Sequence, residues 1–122
     1  MNYVLLLIGG GLGTIARYLI SQGMQPEQGG FPWGTLCVNL AGCLLIGIIS
    51  GIWSQHPVAT SWRLFLAIGM LGGFTTFSTF ALDSLQLWTA GHFSLLLTYL
   101  FASNVGGIIF AAAGYYGFRS LF

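Results

Sequence analysis

Apolar residues occupy this chain in four long runs that are separated by short polar stretches. The runs cover approximately residues 3–22, 34–53, 62–89 and 93–118. A transmembrane helix needs about 20 mostly apolar residues, so each run is long enough to cross a bilayer. Pro26 and Pro57 lie in the first two interruptions, where prolines typically end a helical pattern. The pattern predicts an all-α integral membrane protein with four transmembrane helices in a single domain, residues 1–122.

Charged residues are too few to cover the surface of a soluble domain. They make up 4% of the chain and hydrophobic residues 56%, whereas a soluble domain is typically about 25% charged. The chain has no basic patch, which argues against a nucleic-acid partner. Aromatic residues gather near the ends of the runs, as they do at membrane–water interfaces: Trp33, Trp53, Trp62, Trp88, Tyr115 and Tyr116. The lipid bilayer is therefore the expected environment.

The centre of the third run is unusually polar for a membrane-spanning segment. The stretch GGFTTFSTF, residues 72–80, combines glycines with hydroxyl residues, which together are poor helix formers. Hydroxyl groups can satisfy backbone groups that a helix break releases, and unwound backbone carbonyls bind ions in membrane transporters. The stretch predicts a discontinuous third helix, broken near the bilayer midplane. A polar kink that only packs helices is the alternative interpretation.

Two phenylalanines in this stretch are spaced to lie on one helix face. Phe77 and Phe80 are three residues apart, and the edges of aromatic rings carry partial positive charge. Ring edges, hydroxyl groups and an amide can together replace part of the water around a small, hard anion. The polar side chains that can line such a track are Thr35, Asn39, Ser78, Thr79, Tyr99 and Ser103. Packing of the rings and hydrogen bonding across helices are the plainer interpretations.

Two charged residues lie within or close to the predicted helices. Arg17, near the end of the first run, can attract anions to a vestibule or can be a structural anchor that snorkels to the interface. Asp83 follows the polar stretch and can titrate, gate a pathway or act as a hydrogen-bonded structural carboxylate. The sequence leaves the roles of both residues open.

Small residues recur four apart in three of the runs. The pairs are Gly9 and Gly13, Gly47 and Gly51, and Gly69 and Gly73. This spacing lets helix backbones approach closely, within one subunit or between subunits, and its repetition supports an oligomer. Four helices leave few faces for a polar pathway, so a homodimer is the expected minimum. Arg63 and Arg119 oppose Arg17 across the membrane, a weak charge bias that permits either orientation.

Three segments resemble the small fluoride channels called the Fluc, or CrcB, family. They are GGGLGTIARY, FPWGTLCVNLAGCLLIG and GGFTTFSTF, and the resemblance covers essentially the whole chain. It implies an antiparallel, dual-topology homodimer in the bacterial cell (inner) membrane. It also implies passive export of fluoride from the cytoplasm through two pores, and a structural sodium ion (Na+) at the dimer centre.

The resemblance also assigns roles to individual residues. Phe77 and Phe80 would be the aromatic pore residues and Asn39 the pore-facing amide. The remaining pore positions would be Thr35, Ser78, Thr79, Tyr99 and Ser103, of which Thr35, Tyr99 and Ser103 lie in less distinctive stretches. Backbone carbonyls of Gly72 and Thr75 from each subunit would hold the sodium. Arg17 would have a structural or electrostatic role.

Two other classes of membrane protein compete with a fluoride channel. A small proton-coupled multidrug exporter depends on a glutamate within its first helix, but the first run has no acidic residue and Glu27 lies in a loop. A non-transporting assembly subunit would tolerate other large apolar residues at Phe77 and Phe80. An enzyme is not expected, because no nucleophile, base and orienting group converge in the sequence.

Overall fold

The computed structural model describes residues 1–24, 26 and 29–122, and their regular structure is helical. The helices are α1 (Asn2–Gly23), α2 (Trp33–Gln55), α3 (Thr60–Trp62), a π-helix (Arg63–Leu71), α4 (Gly72–Phe74), α5 (Phe77–Thr89) and α6 (Phe93–Leu121). Four helical spans are long and apolar enough to cross a membrane: α1, α2, the combined stretch Thr60–Thr89 (the third span) and α6. The prediction of an all-α chain with four such helices is confirmed.

The surface of the bundle is strongly apolar. Large side chains point outward from several spans, including Leu7, which is 75% exposed, and Ile108, which is 73% exposed. A soluble monomer rarely exposes apolar surface on this scale. Such a surface is suited to the acyl chains of a bilayer.

Glycines allow the helices of this one chain to pack with their backbones in contact. A Cβ atom at Gly9 of α1 would lie 2.5 Å from the Phe65 carbonyl oxygen of the π-helix. On the other side of the bundle, a Cβ atom at Gly51 of α2 would lie 3.0 Å from the Tyr115 carbonyl oxygen of α6. The predicted close approach is thus confirmed within the subunit. Contacts within one chain account for the spacing of these glycines, and the homodimer stays a prediction.

The third span changes its helical form before it is interrupted. Residues Arg63–Leu71 form a π-helix, a rare conformation that occurs mostly as single turns and often at functional sites. Helical structure then stops at Thr75 and Thr76, whose extended backbones have φ −85°, ψ 157° and φ −149°, ψ 120° respectively. Residues 75–76 are called the interruption below. They lie inside the polar stretch that the sequence singled out.

Buried apolar side chains form two clusters, which differ in the part of the third span that they contain. One combines residues that follow the interruption with parts of α2 and α6: Leu36, Phe80, Leu87, Leu96 and Tyr99. The other combines residues that precede the interruption with α2: Val38, Leu71 and Phe74. The interruption is therefore anchored by packed side chains on both sides.

Candidate functional site

Asn39 of α2 binds the main chain of the interruption through two hydrogen bonds. Its Nδ2 donates to the Thr76 carbonyl oxygen at 3.0 Å, and its Oδ1 accepts from the Thr76 amide at 2.8 Å. Extended backbone inside a membrane protein needs such partners, because lipid offers none. One side chain therefore satisfies both main-chain polar groups of Thr76. We call this pair of bonds the Asn39 clamp.

Hydroxyl groups satisfy other polar groups around the interruption. Thr76 is the N-cap of α5, and its Oγ1 accepts a hydrogen bond from the Thr79 amide at 3.3 Å. The same oxygen lies 3.1 Å from Oγ1 of Thr79 and 3.5 Å from Oγ of Ser78. Before the interruption, Oγ1 of Thr75 donates to the Leu71 carbonyl at 3.0 Å. The threonines in GGFTTFSTF thus stabilise the local backbone as well as making the site polar.

These bonds leave two carbonyl groups without their helical donors. In a continuous α-helix, the amide of Thr76 would donate to Gly72 and that of Thr79 to Thr75. Here the Thr76 amide donates to Asn39, and the Thr79 amide donates to the Thr76 hydroxyl. The Gly72 and Thr75 carbonyls are the pair that the resemblance assigns to sodium. Main-chain oxygens freed in this way are suitable ligands for Na+.

Side-chain metal ligands are not grouped near these carbonyls. Across residues 1–24, 26 and 29–122, no cluster of three His, Cys, Asp or Glu residues is placed to hold a metal. A cation at the interruption would therefore depend on main-chain oxygens. The donor set fits an alkali cation better than a transition metal, which prefers imidazole or thiolate ligands.

Aromatic rings extend from the surface of the chain at the interruption into its core. The centroids of Phe77 and Phe80 are 5.6 Å apart, and those of Phe80 and Tyr99 are 5.1 Å apart. Phe31 then meets Tyr99 edge-on at 5.7 Å. Phe77 is 78% exposed, whereas Phe80 is 9% exposed and Tyr99 fully buried. The prediction that Phe77 and Phe80 share a face is confirmed.

A cavity of about 370 Å³ lies on one side of the interruption, between α2, the third span and α6. Its lining includes Asn39, Gly72, Thr75, Phe77, Phe80 and Ser103. Oγ of Ser103 is buried and has no hydrogen-bond partner among the residues that the structure describes. We call this space the first cavity. Its lining combines two aromatic rings with a carboxamide and the buried Ser103 hydroxyl.

A second cavity of about 390 Å³ lies next to α1 and α5. Its lining includes Arg17, Thr35, Thr76, Thr79 and Asp83. Within the described part of the chain, Nε of Arg17 is buried without a hydrogen-bond partner. The second cavity therefore contains a guanidinium group whose hydrogen-bonding capacity is not fully used.

The structure divides the predicted polar track between these two spaces. Asn39 and Ser103 line the first cavity, whereas Thr35 and Thr79 line the second. Thr76 lines both, so the interruption forms the wall between them. Ser78 is near the Thr76 hydroxyl. Tyr99 is enclosed in the core, where its hydroxyl donates to Asp83.

Several contacts of the site involve residues that sequence reasoning did not single out. Thr76 was not among the candidates, although a hydroxyl residue three positions before Thr79 is a signal for an N-cap. Phe31 lies in a connection that has no periodic pattern. Its contact with Tyr99 therefore could not be predicted from the neighbouring sequence. The Asn39 clamp joins residues 37 positions apart. Pairing at that distance depends on how α2 packs against the third span.

Comparisons with known proteins identify the group to which this arrangement belongs. The family described as "CrcB-like protein, Camphor Resistance (CrcB)" matches residues 4–115. A protein of Leptospira interrogans named "Fluoride-specific ion channel FluC" is 44% identical over 115 residues, covering 93% of this chain and 91% of the relative. A protein of the same name from Phocaeicola vulgatus is 44% identical, and the match covers 88% of this chain and 90% of the relative. Another from Thermus thermophilus is 41% identical, and the match covers 93% of this chain and 91% of the relative. The chain therefore belongs to the CrcB-like family.

Proposed function

We propose that this chain is a fluoride-specific ion channel that exports fluoride from the bacterial cytoplasm by passive electrodiffusion. The relatives carry that name, and the matches cover at least nine-tenths of their own length. The structural observation that carries the proposal is the Phe77–Phe80 pair, which lines one cavity together with Asn39 and the unpartnered Ser103 hydroxyl. These groups supply partial positive charge and hydrogen-bond donors without a fixed cation.

The chemistry of fluoride explains why such a lining suits a channel. Fluoride is small and strongly hydrated, so a pathway must replace its water with several donors at close range. Ring edges and hydroxyl groups offer weak, distributed attraction. Conduction requires binding that is strong enough for entry and weak enough for exit. A ring of lysines would hold the ion too tightly, whereas neutral donors permit release.

Arg17 offers anions a positive charge in the second cavity, whose lining also includes the carboxylate of Asp83. Its side chain lines this space together with Thr35 and Thr79. A positive charge in a confined cleft raises the local concentration of anions and their rate of entry. In this proposal the second cavity is a vestibule, and the first cavity contributes to the narrow part of the pathway.

The working unit in this proposal is an antiparallel homodimer with two pores. Phe77 is 78% exposed on a single chain, although its ring is next to the polar groups of the site. A second copy of the chain would cover that ring and complete the wall of each pathway. Because Arg63 and Arg119 are opposed by Arg17 across the membrane, insertion in both orientations is compatible with the charge pattern.

The carbonyl groups of Gly72 and Thr75 from both subunits would hold a structural sodium ion at the dimer centre. Both lack their helical donors, because the amides of Thr76 and Thr79 are engaged elsewhere. A bound sodium ion adds positive charge beside an anion pathway. The interruption would then lie near the bilayer midplane, where non-helical backbone is tolerated only within protein or along a watery cavity.

The two alternatives are less compatible with the chain. A small multidrug exporter needs an acidic residue in its first helix, but the sequence of α1, Asn2–Gly23, has none. Glu27, which the sequence places in the following loop, lies outside the described residues. A non-transporting assembly subunit would have no need for an unpartnered hydroxyl and an unpartnered guanidinium facing two cavities. Relatives named as ion channels also argue against an enzyme.

Ion efflux from liposomes tests the proposed function directly. Purified protein is reconstituted in sodium buffer, and fluoride and chloride release are followed with ion-selective electrodes. We expect fast fluoride release, negligible chloride release, and loss of fluoride release in Phe77→Ala and Phe80→Ala. Phe122→Ala, which removes an exposed ring at the chain terminus, is the matched control and should conduct normally. No fluoride release from verified dimers would refute the channel.

A further inference from the structure

The Gly72 carbonyl and the Thr76 amide are the acceptor and the donor that one α-helical hydrogen bond would join. They are four positions apart, the separation at which an α-helix joins a carbonyl to an amide. If the helix closed across the interruption, the Thr76 amide would donate to Gly72. In the structure this amide donates to Oδ1 of Asn39 at 2.8 Å instead. Asn39 therefore replaces Gly72 as the hydrogen-bond acceptor of the Thr76 amide.

The second bond of the Asn39 clamp uses the other polar atom of the same carboxamide. Nδ2 donates to the Thr76 carbonyl at 3.0 Å while Oδ1 accepts from the Thr76 amide. A carboxamide, which among side chains occurs only in asparagine and glutamine, places a donor and an acceptor on neighbouring atoms of one planar group. Leucine has a similar size and offers neither. Aspartate retains the acceptor that faces the Thr76 amide.

We propose that Asn39 is a positioning residue that keeps the Gly72 carbonyl free to bind a cation. This inference depends on the proposed sodium site and extends it to a residue on another helix. It differs from a pore-facing amide that touches fluoride, because both polar atoms of Asn39 are already engaged with Thr76. One N–H of Nδ2 remains and is not needed for this role.

The two carbonyls of the proposed sodium site are controlled separately. The Thr75 carbonyl is kept free by Oγ1 of Thr76, which accepts from the Thr79 amide. The Gly72 carbonyl is kept free by Asn39. Without Asn39, the Thr76 amide would lose its acceptor. If the helix then closed across the interruption, this amide would donate to the Gly72 carbonyl instead. Closing that bond would remove one cation ligand and leave the other in place.

Sodium-dependent thermal stability distinguishes this role from general structural support. The unfolding temperature of the purified full-length protein is measured in detergent as sodium chloride replaces choline chloride at constant ionic strength. A ligand that binds only the folded state raises this temperature as its concentration rises. For Asn39→Leu we expect the half-saturating sodium concentration to rise about 10- to 100-fold, the usual effect of losing a group that orients metal ligands.

Asn104→Leu is the matched control, because it is the same substitution at another asparagine of the first cavity. Nδ2 of Asn104 donates to the Leu100 carbonyl within its own helix and does not contact Thr76. The control should respond to sodium at the wild-type concentration. Equal stability loss in sodium and in choline, with an unchanged half-saturating concentration for Asn39→Leu, would overturn the proposal while leaving the sodium site intact.

A second variant keeps the test decisive if Asn39→Leu does not fold. Asn39→Asp retains the oxygen that accepts from the Thr76 amide, so it should need no more sodium than the wild type. A large increase in the sodium requirement of Asn39→Asp would contradict the proposal. A wild-type protein that shows no stabilisation by sodium would instead refute the sodium site itself, and this inference with it. Fluoride efflux from liposomes, measured separately, distinguishes that result from failure of the channel function.

Discussion

The hydroxyl of Tyr99 donates a hydrogen bond of 3.1 Å to Oδ2 of Asp83. Tyr99 belongs to α6 and is fully buried, whereas Asp83 belongs to α5 and is one of the residues that line the second cavity. The bond joins the two helices and holds the carboxylate at the edge of the proposed vestibule. It gives Asp83 a structural role, one of those that the sequence left open.

Tyr99→Phe tests this contact while preserving the shape of the core. The variant removes the hydroxyl that donates to Asp83, so we expect the free energy of unfolding to fall by about 1 kcal/mol, as for other interhelical hydrogen bonds in membrane proteins. Denaturant unfolding followed by circular dichroism measures the change. Tyr3→Phe is the control, because Tyr3 is 81% exposed near the start of α1. Equal stability of the two variants would mean that the Tyr99 bond contributes nothing.

Phe77→Leu tests whether the aromatic ring of Phe77 takes part in the pathway. Leucine keeps an apolar side chain but removes the aromatic ring that lines the first cavity. An aromatic interaction of about 1 kcal/mol should be lost, which corresponds to a roughly fivefold decrease in fluoride efflux. The measurement is electrode-monitored efflux, with Phe122→Leu as the control. Unchanged efflux in Phe77→Leu would show that the ring itself is not part of the pathway.

Gly13→Ala tests the close approach of α1 to the third span. A Cβ atom at Gly13 would overlap the main chain of Met70, so the helices must separate. We expect a loss of about 1–3 kcal/mol in the free energy of unfolding, the usual cost of overpacking. Gly11→Ala on the same helix has no atom within 4 Å of the added carbon and should be neutral or stabilising. A similar loss in both variants would assign the effect to α1 itself.

Thr76→Val tests the N-cap of α5. Valine has a similar shape but cannot accept the hydrogen bond from the Thr79 amide. Loss of an N-cap acceptor typically costs about 1 kcal/mol, and the unfolding free energy should fall by that amount. Thr98→Val is the control, because the Thr98 hydroxyl only donates to Ser94 within α6. If Thr98→Val is destabilised as much as Thr76→Val, capping is not the cause.

The four spans could be predicted because each signal is local. The predicted runs differ from the observed helices by no more than three residues at either end, and the largest difference is the extension of α6 to Leu121. The shared face of Phe77 and Phe80 also follows from their spacing on α5. Bilayer thickness and helical geometry are the same for any chain. Helix bounds and shared faces can therefore be predicted without knowing which helices are neighbours.

The contacts of the site could not be predicted in the same way. Asn39 meets Thr76 across 37 positions, and Tyr99 meets Asp83 across 16. The spacing of the glycine pairs correctly predicted close helix packing. It does not say whether the partner helix is in the same chain. Gly13 meets the third span of its own subunit.

The sequence by itself determined that this chain forms four apolar helices and that its polar residues concentrate around residues 72–80, because these properties depend on local composition and period. Only the tertiary structure decided which partner each polar group finds. The Thr76 amide can close a helical bond to Gly72 or bind Asn39, and both choices are compatible with the same local sequence. Packing of α2 against the third span selects Asn39, because it brings the carboxamide to 2.8 Å from that amide.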